Sequence, residues 1–402
     1  MEWITKINKK GDLKMKVCFI TPNVFPVPAT KGGACETLVN NLIDENEKQK
    51  KLSIICVSVY EEEAYRLSTQ YKNTDFIYIK NEKDLKNVDL SYASTDNSFI
   101  SYMDAIYEKI KDLDTDLIII EGGDMEGYNY LLKRFPKSKC VAHLHGNSEP
   151  TELLSDTYQN FITVSNFVAN KLAKNNIISK DRIHAVYNGI YTEKFDKKIS
   201  LDEKIELRKK YNITENENVI VFCGRTVPTK GIKELILAFR NSKYLESSKL
   251  LIVGNSNFAK EVETDYDREL KEIAMSMPDK IAFTGFIDNN DLYKIHNISD
   301  IAVVPTLTEE AFGLVVVEFL ASGLPLIATV SGAIPEIVDE ESAILIKKDD
   351  SMINNLTKSI DYLIENKNVR ESMSRHGKVV AEKYSVNNFY NNFINAVTKM
   401  GN

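Results

Sequence analysis

Glu310-Ala311-Phe312-Gly313-Leu314-Val315-Val316-Val317-Glu318 is the stretch of this 402-residue chain whose residue types most clearly ask for chemistry. A strand ending near Pro305 would deliver a loop carrying Glu309 and Glu310, and Gly313 would open a helix that is apolar inside except for Glu318. A carboxylate on an apolar helix face is costly to bury without a partner. The two hydroxyls of a ribose suit it, because one carboxylate accepts both hydrogen bonds. Glu310 on the loop would reach sugar hydroxyls, and the backbone N–H groups of Phe312 to Val315 at the helix start suit a phosphate. The bland alternative is a solvated acidic loop and a glutamate satisfied by a nearby lysine.

Gly224-Arg225-Thr226-Val227-Pro228-Thr229-Lys230-Gly231 tilts that balance. Here a strand ends in a turn that sets a guanidinium and an ammonium at the mouth of the next helix. Arg225 offers a planar fork for diphosphate oxygens, and Lys230 a compact charge. Cations at a helix N-terminus oppose the helix dipole unless an anion is near. Together they would neutralise a departing nucleotide diphosphate without a metal.

Earlier in the chain, Lys31-Gly32-Gly33 follows the first strand and allows close approach of backbone to a phosphate or sugar. It is not GxGxxG, and no acidic residue follows the second strand in dinucleotide fashion, so hydride transfer is disfavoured. His143-Leu144-His145-Gly146-Asn147 ends a strand, with both histidines on one side of the sheet. His145 lies nearer the carboxyl end and is the better candidate for a ligand contact; a buried, hydrogen-bonded histidine is the alternative. Asp114-Thr115-Asp116 and Asp265-Tyr266-Asp267 have the form of metal-binding DxD pairs. The first precedes a strand on its amino side and the second lies in a charged helical run, so both read as solvated faces and no obligatory metal or cofactor is expected.

The elements that must position these groups alternate from end to end. Strands are expected at Lys16–Thr21, Leu52–Val59, Asp75–Lys80, Asp116–Glu121, Lys139–Leu144 and Phe161–Val164. After a polar linker over Tyr191–Lys210 they resume at Val219–Cys223, Leu250–Val253, Lys280–Thr284, Ile301–Val304 and Pro325–Ala328. Continuous apolar runs such as Leu117-Ile118-Ile119-Ile120 suit strands covered on both faces, the habit of parallel sheets. Helices are expected near Ala34–Asp44, over Ser165–Lys174 with Ser165 or Asn166 as N-cap, and over Gly231–Arg240, where Ile232, Leu235, Ile236 and Phe239 fall at helical spacing. The fold class is α/β, with two doubly wound Rossmann-like domains facing a cleft. The expected boundaries are 1–192 and 193–385, with a helix at about 386–402 packing back on the first domain.

A net charge of −7 argues against a nucleic-acid partner. The five cysteines form no CxxC pair, and four lie in apolar runs, so buried free thiols in a reducing compartment are expected. No apolar run approaches the ~18–20 residues that span a bilayer. The first residues carry Lys6, Lys9, Lys10, Lys14 and Lys16 without an apolar core, which is not a secretory signal. The expected location is cytoplasmic; the basic tail with Trp3 and Ile4 gives a possible peripheral membrane contact.

In this order and spacing, several elements resemble GT-B glycosyltransferases of family 4, across essentially the whole chain. They are Gly32-Gly33, His145-Gly146, Val164-Ser165-Asn166, Tyr187-Asn188-Gly189-Ile190, the GRxxPxKG element at Gly224–Gly231, Thr284-Gly285-Phe286, ExFGxxxxE at Glu310–Glu318, and Ala321-Ser322-Gly323-Leu324-Pro325. The resemblance implies that Arg225 and Lys230 hold the donor's diphosphate and Glu318 its ribose. It implies that Glu310, Ala311 and the Phe312–Gly313–Leu314 backbone bind the sugar, and that the main chain at Phe286 and Ile287 meets the base. Gly33 and Gly254 would lie near the diphosphate, and His145 near the anomeric carbon. It further implies retention of configuration, with a hexose or N-acetylhexosamine moved from a nucleotide-sugar donor, most often UDP, to a glycan, lipid-linked or glycoprotein acceptor. Two features depart from the family: Tyr191 stands where Asp is usual, and the phosphate loop is thinned to Val253-Gly254-Asn255-Ser256-Asn257. Acceptor choice would fall to Phe25-Pro26-Val27-Pro28 and Met125-Glu126-Gly127-Tyr128. A nucleotide-sugar 2-epimerase or a non-catalytic partner subunit are the alternatives.

Overall fold

A computed structural model describes residues 14–80, 97–256 and 263–401. Asn257 and the tail residues Trp3, Ile4, Lys6, Lys9 and Lys10 lie outside the described residues. The chain divides into two compact units, Met1–Tyr187 with Phe389–Asn402, and Asn188–Asn388.

In the first unit β1 (Lys16–Ile20), β2 (Ser53–Val59), β3 (Thr74–Ile79), β4 (Leu117–Glu121), β5 (Cys140–Leu144), β6 (Asn160–Thr163) and β7 (Ile183–Ala185) form one sheet in the order 3-2-1-4-5-6-7. All its described pairings are parallel. Apolar runs on both faces produce this: every residue of β4 and β5 is buried, and helices cover both sides. Helix Ala34–Gln49 returns the chain from β1 to β2, and helix Asn166–Leu172 starts on Ser165, whose hydroxyl accepts the Val168 N–H at 3.2 Å.

The C-terminal helix Val386–Met400 closes this unit. Phe393 is fully buried and meets Phe19 of β1 at 5.7 Å between ring centroids. The Tyr390 hydroxyl donates to Asn46 Oδ1 at 2.6 Å, and the same amide oxygen accepts the Leu52 N–H at 3.0 Å, tying the helix to the turn before β2.

The second unit repeats the plan with β8 (Asn218–Cys223), β9 (Ser248–Val253), β10 (Ile281–Gly285), β11 (Ile301–Val304), β12 (Leu326–Thr329) and β13 (Ala343–Ile346), all parallel, in the order 10-9-8-11-12-13. Its core packs helix Ile232–Arg240 and helix Met352–Glu365 against β8, β9 and β11. The stretch Tyr191–Lys210 differs from the expected plain linker. It contains helices Thr192–Phe195 and Leu201–Lys210. The second is capped by Ser200, with Asp202 and Glu203 in the first turn and Arg208, Lys209 and Lys210 in the last, so capping and charge order hold a helix that lacks an apolar face. Strands β7 and β13 were not expected from the sequence.

Phe393→Ala should cost about 3–5 kcal/mol, the usual range for emptying a fully buried phenylalanine site, read from the urea midpoint of unfolding. An unchanged midpoint would mean that the C-terminal helix does not complete the first core.

Candidate functional site

In each sheet the order of strands reverses once, between β1 and β4 and between β8 and β11. Beyond the carboxyl ends at such a reversal the following loops diverge and leave room for a ligand. The sequence-predicted residues of the second unit gather at its reversal.

The loop after β8 runs from Gly224 to Gly231 and the loop after β11 from Pro305 to Gly313. They are stitched together: Leu307 N–H donates to Thr229 O at 2.8 Å, and Gly231 lies so close that a Cβ there would sit 2.0 Å from Pro305 O. Across this seam Lys230 Nζ meets Glu310 Oε1 at 2.5 Å, and the Thr306 hydroxyl donates to the same oxygen at 3.0 Å. The Glu310 backbone is pinned from behind, its carbonyl accepting the Ala333 N–H at 2.9 Å. Glu309 points elsewhere and pairs with Lys348 at 2.7 Å. Both loop glutamates therefore pair with a lysine, whereas Glu318 has none among the described residues. The pairing of Lys230 with Glu310, however, brings together the two motifs that the sequence singled out.

The loops after β8, β9 and β10 are also laced together. Gly224 N–H donates to Val253 O at 3.0 Å, Thr226 N–H to Asn255 O at 3.1 Å, and Gly254 N–H to Gly285 O at 3.0 Å. Gly254, at φ +126°, leaves no space for a side chain, because a Cβ would lie 2.0 Å from Gly224 O. Its role in the described fold is this close approach of two loops. Arg225 is exposed on the same loop. Thr226 is anchored by Asp267 Oδ1 at 2.7 Å, and Asp267 also completes a capping box with Thr264 at the start of helix Asp265–Ala274. Asp265-Tyr266-Asp267 is thus a helix cap and a loop anchor. Asp116 likewise accepts the Lys16 N–H, at 2.7 Å.

Gly313, at φ +103°, starts helix Leu314–Ser322. Phe312 turns its ring into the core against Tyr384, at 5.7 Å between centroids, so its ring does not serve as a ligand contact. Ala311 and Leu314 are partly buried at the same helix start. Glu318 lies one turn in, with no hydrogen-bond partner for its carboxylate among the described residues, and burial pushes its pKa up to about 7. After β10, Phe286 is 56% exposed, a large ring left in solvent, and Ile287 is partly buried.

The remaining predicted residues belong to the first unit and its own reversal. Gly33, at φ +92°, precedes helix Ala34–Gln49, and a Cβ there would fall 2.2 Å from Glu36 Oε2. The bare glycine makes room for a buried glutamate, whose pKa burial raises to about 7. Glu36 was not singled out from the sequence; its only signal is an acidic residue in the first turn of an otherwise buried face. His145 follows β5, and its Nε2 contacts Glu121 Oε2 at 2.8 Å. His143 is fully buried beside it. Of the proposed acceptor loops, Pro26, Val27, Pro28, Met125 and Tyr128 are buried, so little of either segment is offered to a ligand.

The five cysteines are free thiols, Cys18, Cys56 and Cys140 buried and Cys35 and Cys223 partly so. Among the described residues no helix is long and apolar enough to cross a membrane.

Residues 203–380 match the family described as Glycosyl transferases group 1. The chain is 26% identical over 328 residues, 80% of this chain and 82% of the relative, to the lipopolysaccharide 1,2-N-acetylglucosaminetransferase of Salmonella typhimurium. Its fold is similar to that of a glycosyltransferase from Rickettsia africae, at TM-score 0.77 and 19% identity, covering 96% of this chain and 99% of that one. It is also similar to Anabaena HepE in complex with UDP and glucose, at TM-score 0.74 and 17% identity, again covering 96% and 99%. The fold is therefore GT-B, and these matches support the group 1 glycosyltransferase family.

Glu318→Gln tests the buried carboxylate. An unfolded glutamate ionises near ~4.3 and the folded one near about 7, so the folded state holds a proton that the unfolded state has lost between those values. Stability from this group is complete below the lower value and falls as pH rises through the higher one. The variant should melt a few degrees higher than the native protein at pH 8 and at the same temperature at pH 4. Equal melting temperatures at pH 8 would mean that the carboxylate is not desolvated.

Proposed function

We propose that the protein is a retaining glycosyltransferase that moves a hexose or N-acetylhexosamine from a nucleotide diphosphate sugar, a UDP-sugar first among them, to a glycan, lipid-linked or glycoprotein acceptor. The observation that carries the reading is the seam between Lys230 and Glu310, with Thr306 on the same oxygen. A pair held this way offers an ammonium to the diphosphate and a carboxylate to the sugar hydroxyls, both placed before any ligand arrives.

The other groups take roles that follow from their chemistry. Arg225 supplies a second cation for the diphosphate. Backbone N–H groups at Phe312, Gly313 and Leu314 face the sugar and phosphate from the helix start. Glu318 has no carboxylate partner among the described residues and accepts from the two ribose hydroxyls. Phe286 and Ile287 border the base. The leaving diphosphate is neutralised by Lys230 and Arg225, so no metal is assigned to the step. With no carboxylate placed as a nucleophile, retention would come from attack on the face that the diphosphate leaves. In the first unit, His145 is the side chain assigned to sugar recognition. The sugar named for the Salmonella relative and the UDP and glucose held by the Anabaena protein favour a UDP-sugar donor.

A thermal-shift series with UDP, GDP, ADP and CDP should show a rise in melting temperature for one of them, since a ligand of the native state stabilises it. Lys230→Ala and Glu310→Ala should each reduce transfer from the matching sugar nucleotide by at least about 100-fold while leaving the melting temperature within a few degrees of native. Full turnover in both variants would sink the site, and no shift with any nucleotide would favour a partner subunit without donor chemistry.

A further inference from the structure

The first sheet buries an ionised carboxylate between two histidines. Glu121 ends β4, at the carboxyl edge beside the strand reversal, and pairs in register with His143 of β5. Period-two alternation carries His145 to the same side, one step beyond the strand. Glu121 and His143 are fully buried, and the His145 side chain is 8% exposed. One oxygen serves both rings: Glu121 Oε2 lies 2.8 Å from His145 Nε2 in hydrogen-bond geometry, and 2.8 Å from His143 Nδ1 without it. The rings stand 4.1 Å apart, and Phe393 backs His143 at 6.2 Å.

We propose that Glu121 is a positioning residue that holds His145 in one orientation and one tautomer, with Nε2–H turned to the carboxylate and the Nδ1 lone pair left for a substrate hydroxyl. The assignment of that hydroxyl to a bound sugar rests on the transferase reading given above. The geometry of the pair does not.

Burial alone would raise Glu121, but His143 and then His145 outweigh it and hold its carboxyl at about 2, so Oε2 accepts and never donates at neutral pH. The Nε2 proton of His145 is thereby fixed. Burial and the adjacent His143 lower the pKa of His145, which leaves the ring neutral and Nδ1 an acceptor. Nδ1 is buried and has no partner among the described residues. A buried acceptor without a donor has lost its hydration and gained nothing in exchange, and a hydroxyl donor would relieve it. Gly146 follows directly, with nothing within 4 Å of the place where a Cβ would be. Cys35 and the buried Cys56 are further titratable groups close to Glu121; Cys35 Sγ and His145 Cδ2 flank Gly122, 3.3 and 3.6 Å from where a Cβ would lie. Burial pushes both thiols up, so they stay neutral.

Glu121, His143 and His145 also have the make-up of a metal site, their ligand atoms lying within 4.8 Å of one another. Histidine ligands, however, hand their second N–H to a carboxylate, carbonyl or water. Here His143 Nε2 and His145 Nδ1 have no acceptor among the described residues. The hydrogen-bonded pair accounts for the contacts with fewer added parts.

The test is imidazole nitrogen NMR of His145 across pH, in the native protein and in Glu121→Gln. The native ring should show the Nε2–H tautomer. In the variant the titration midpoint should fall, because the carboxylate that favours the proton is gone. With the matching sugar nucleotide, kcat/KM should fall roughly tenfold or more, the acid limb of its pH profile should move to lower pH, and the substitution should add no loss to His145→Gln. An Nδ1–H tautomer in the native protein overturns the proposal even if the variant does not fold. So does an unchanged midpoint in the variant, additive losses with His145→Gln, or one equivalent of transition metal in the purified protein that Glu121→Gln releases. If the NMR result holds and no sugar nucleotide is turned over, the transferase reading fails and the buried pair stands.

Discussion

Lys230 and Glu310 are 80 residues apart in sequence, and their contact exists only because β8 and β11 are neighbours in the sheet. That adjacency is the point where the strand order reverses. A parallel strand needs a crossover to return, so the chain builds β9 and β10 on one side, crosses back, and continues with β12 and β13 on the other. The loops after β8 and β11 are therefore forced side by side with no strand between them. Everything else in the second unit's site follows from this: the seam at Thr229 and Leu307, the shared oxygen of Glu310, and the start of helix Leu314–Ser322 a few residues further on.

Three desolvated glutamates, two buried and Glu318 partly so, show how a common penalty gives different chemistry according to what stands opposite. Glu318 and Glu36 are each raised to about 7 by burial. Glu121 meets the same penalty and ends at about 2, because two imidazoles face it. For the first kind no opposite charge among the described residues offsets the burial. The second has its partners built in, and so serves to hold rather than to receive.

Much of the fold was legible because both sheets are parallel and covered on two faces. Leu117-Ile118-Ile119-Ile120 has few other ways to be satisfied, and it is a buried strand. The strands that escaped, Ile183–Ala185 and Ala343–Ile346, are three and four residues long and only partly buried, which leaves no run to see. Leu201–Lys210 escaped for the opposite reason: its helix rests on a Ser200 cap and on charges ordered along the dipole, while Leu201 remains 72% exposed, so periodicity carried no signal. Arg225, Lys230, Glu310 and Glu318 were legible as residue types out of place. Glu121 was not. It closes an apolar strand, and its meaning depends on histidines 22 and 24 residues later that only the β4–β5 register brings beside it.

The glycines around the second site argue that its geometry is set before a ligand binds. Gly231 and Gly254 each stand where a single added carbon would meet a carbonyl oxygen at 2.0 Å, and Gly332 is pressed equally close on Glu310 O. These are contacts of backbone against backbone, so no side-chain rotation can relieve them. Glycine here is less a hinge than a consequence of loops drawn together by the hydrogen bonds at Val253, Asn255 and Gly285. Loops held this way fix the main chain beneath the Lys230–Glu310 pair, so its charges are placed without backbone reorganisation. The movement that remains is in the side chains: Lys230 could reach another anion only by exchanging part of its contact with Glu310. The strength of that 2.5 Å pair therefore sets both how firmly the two loops are ordered and how much of the ammonium's charge is left for any other anion.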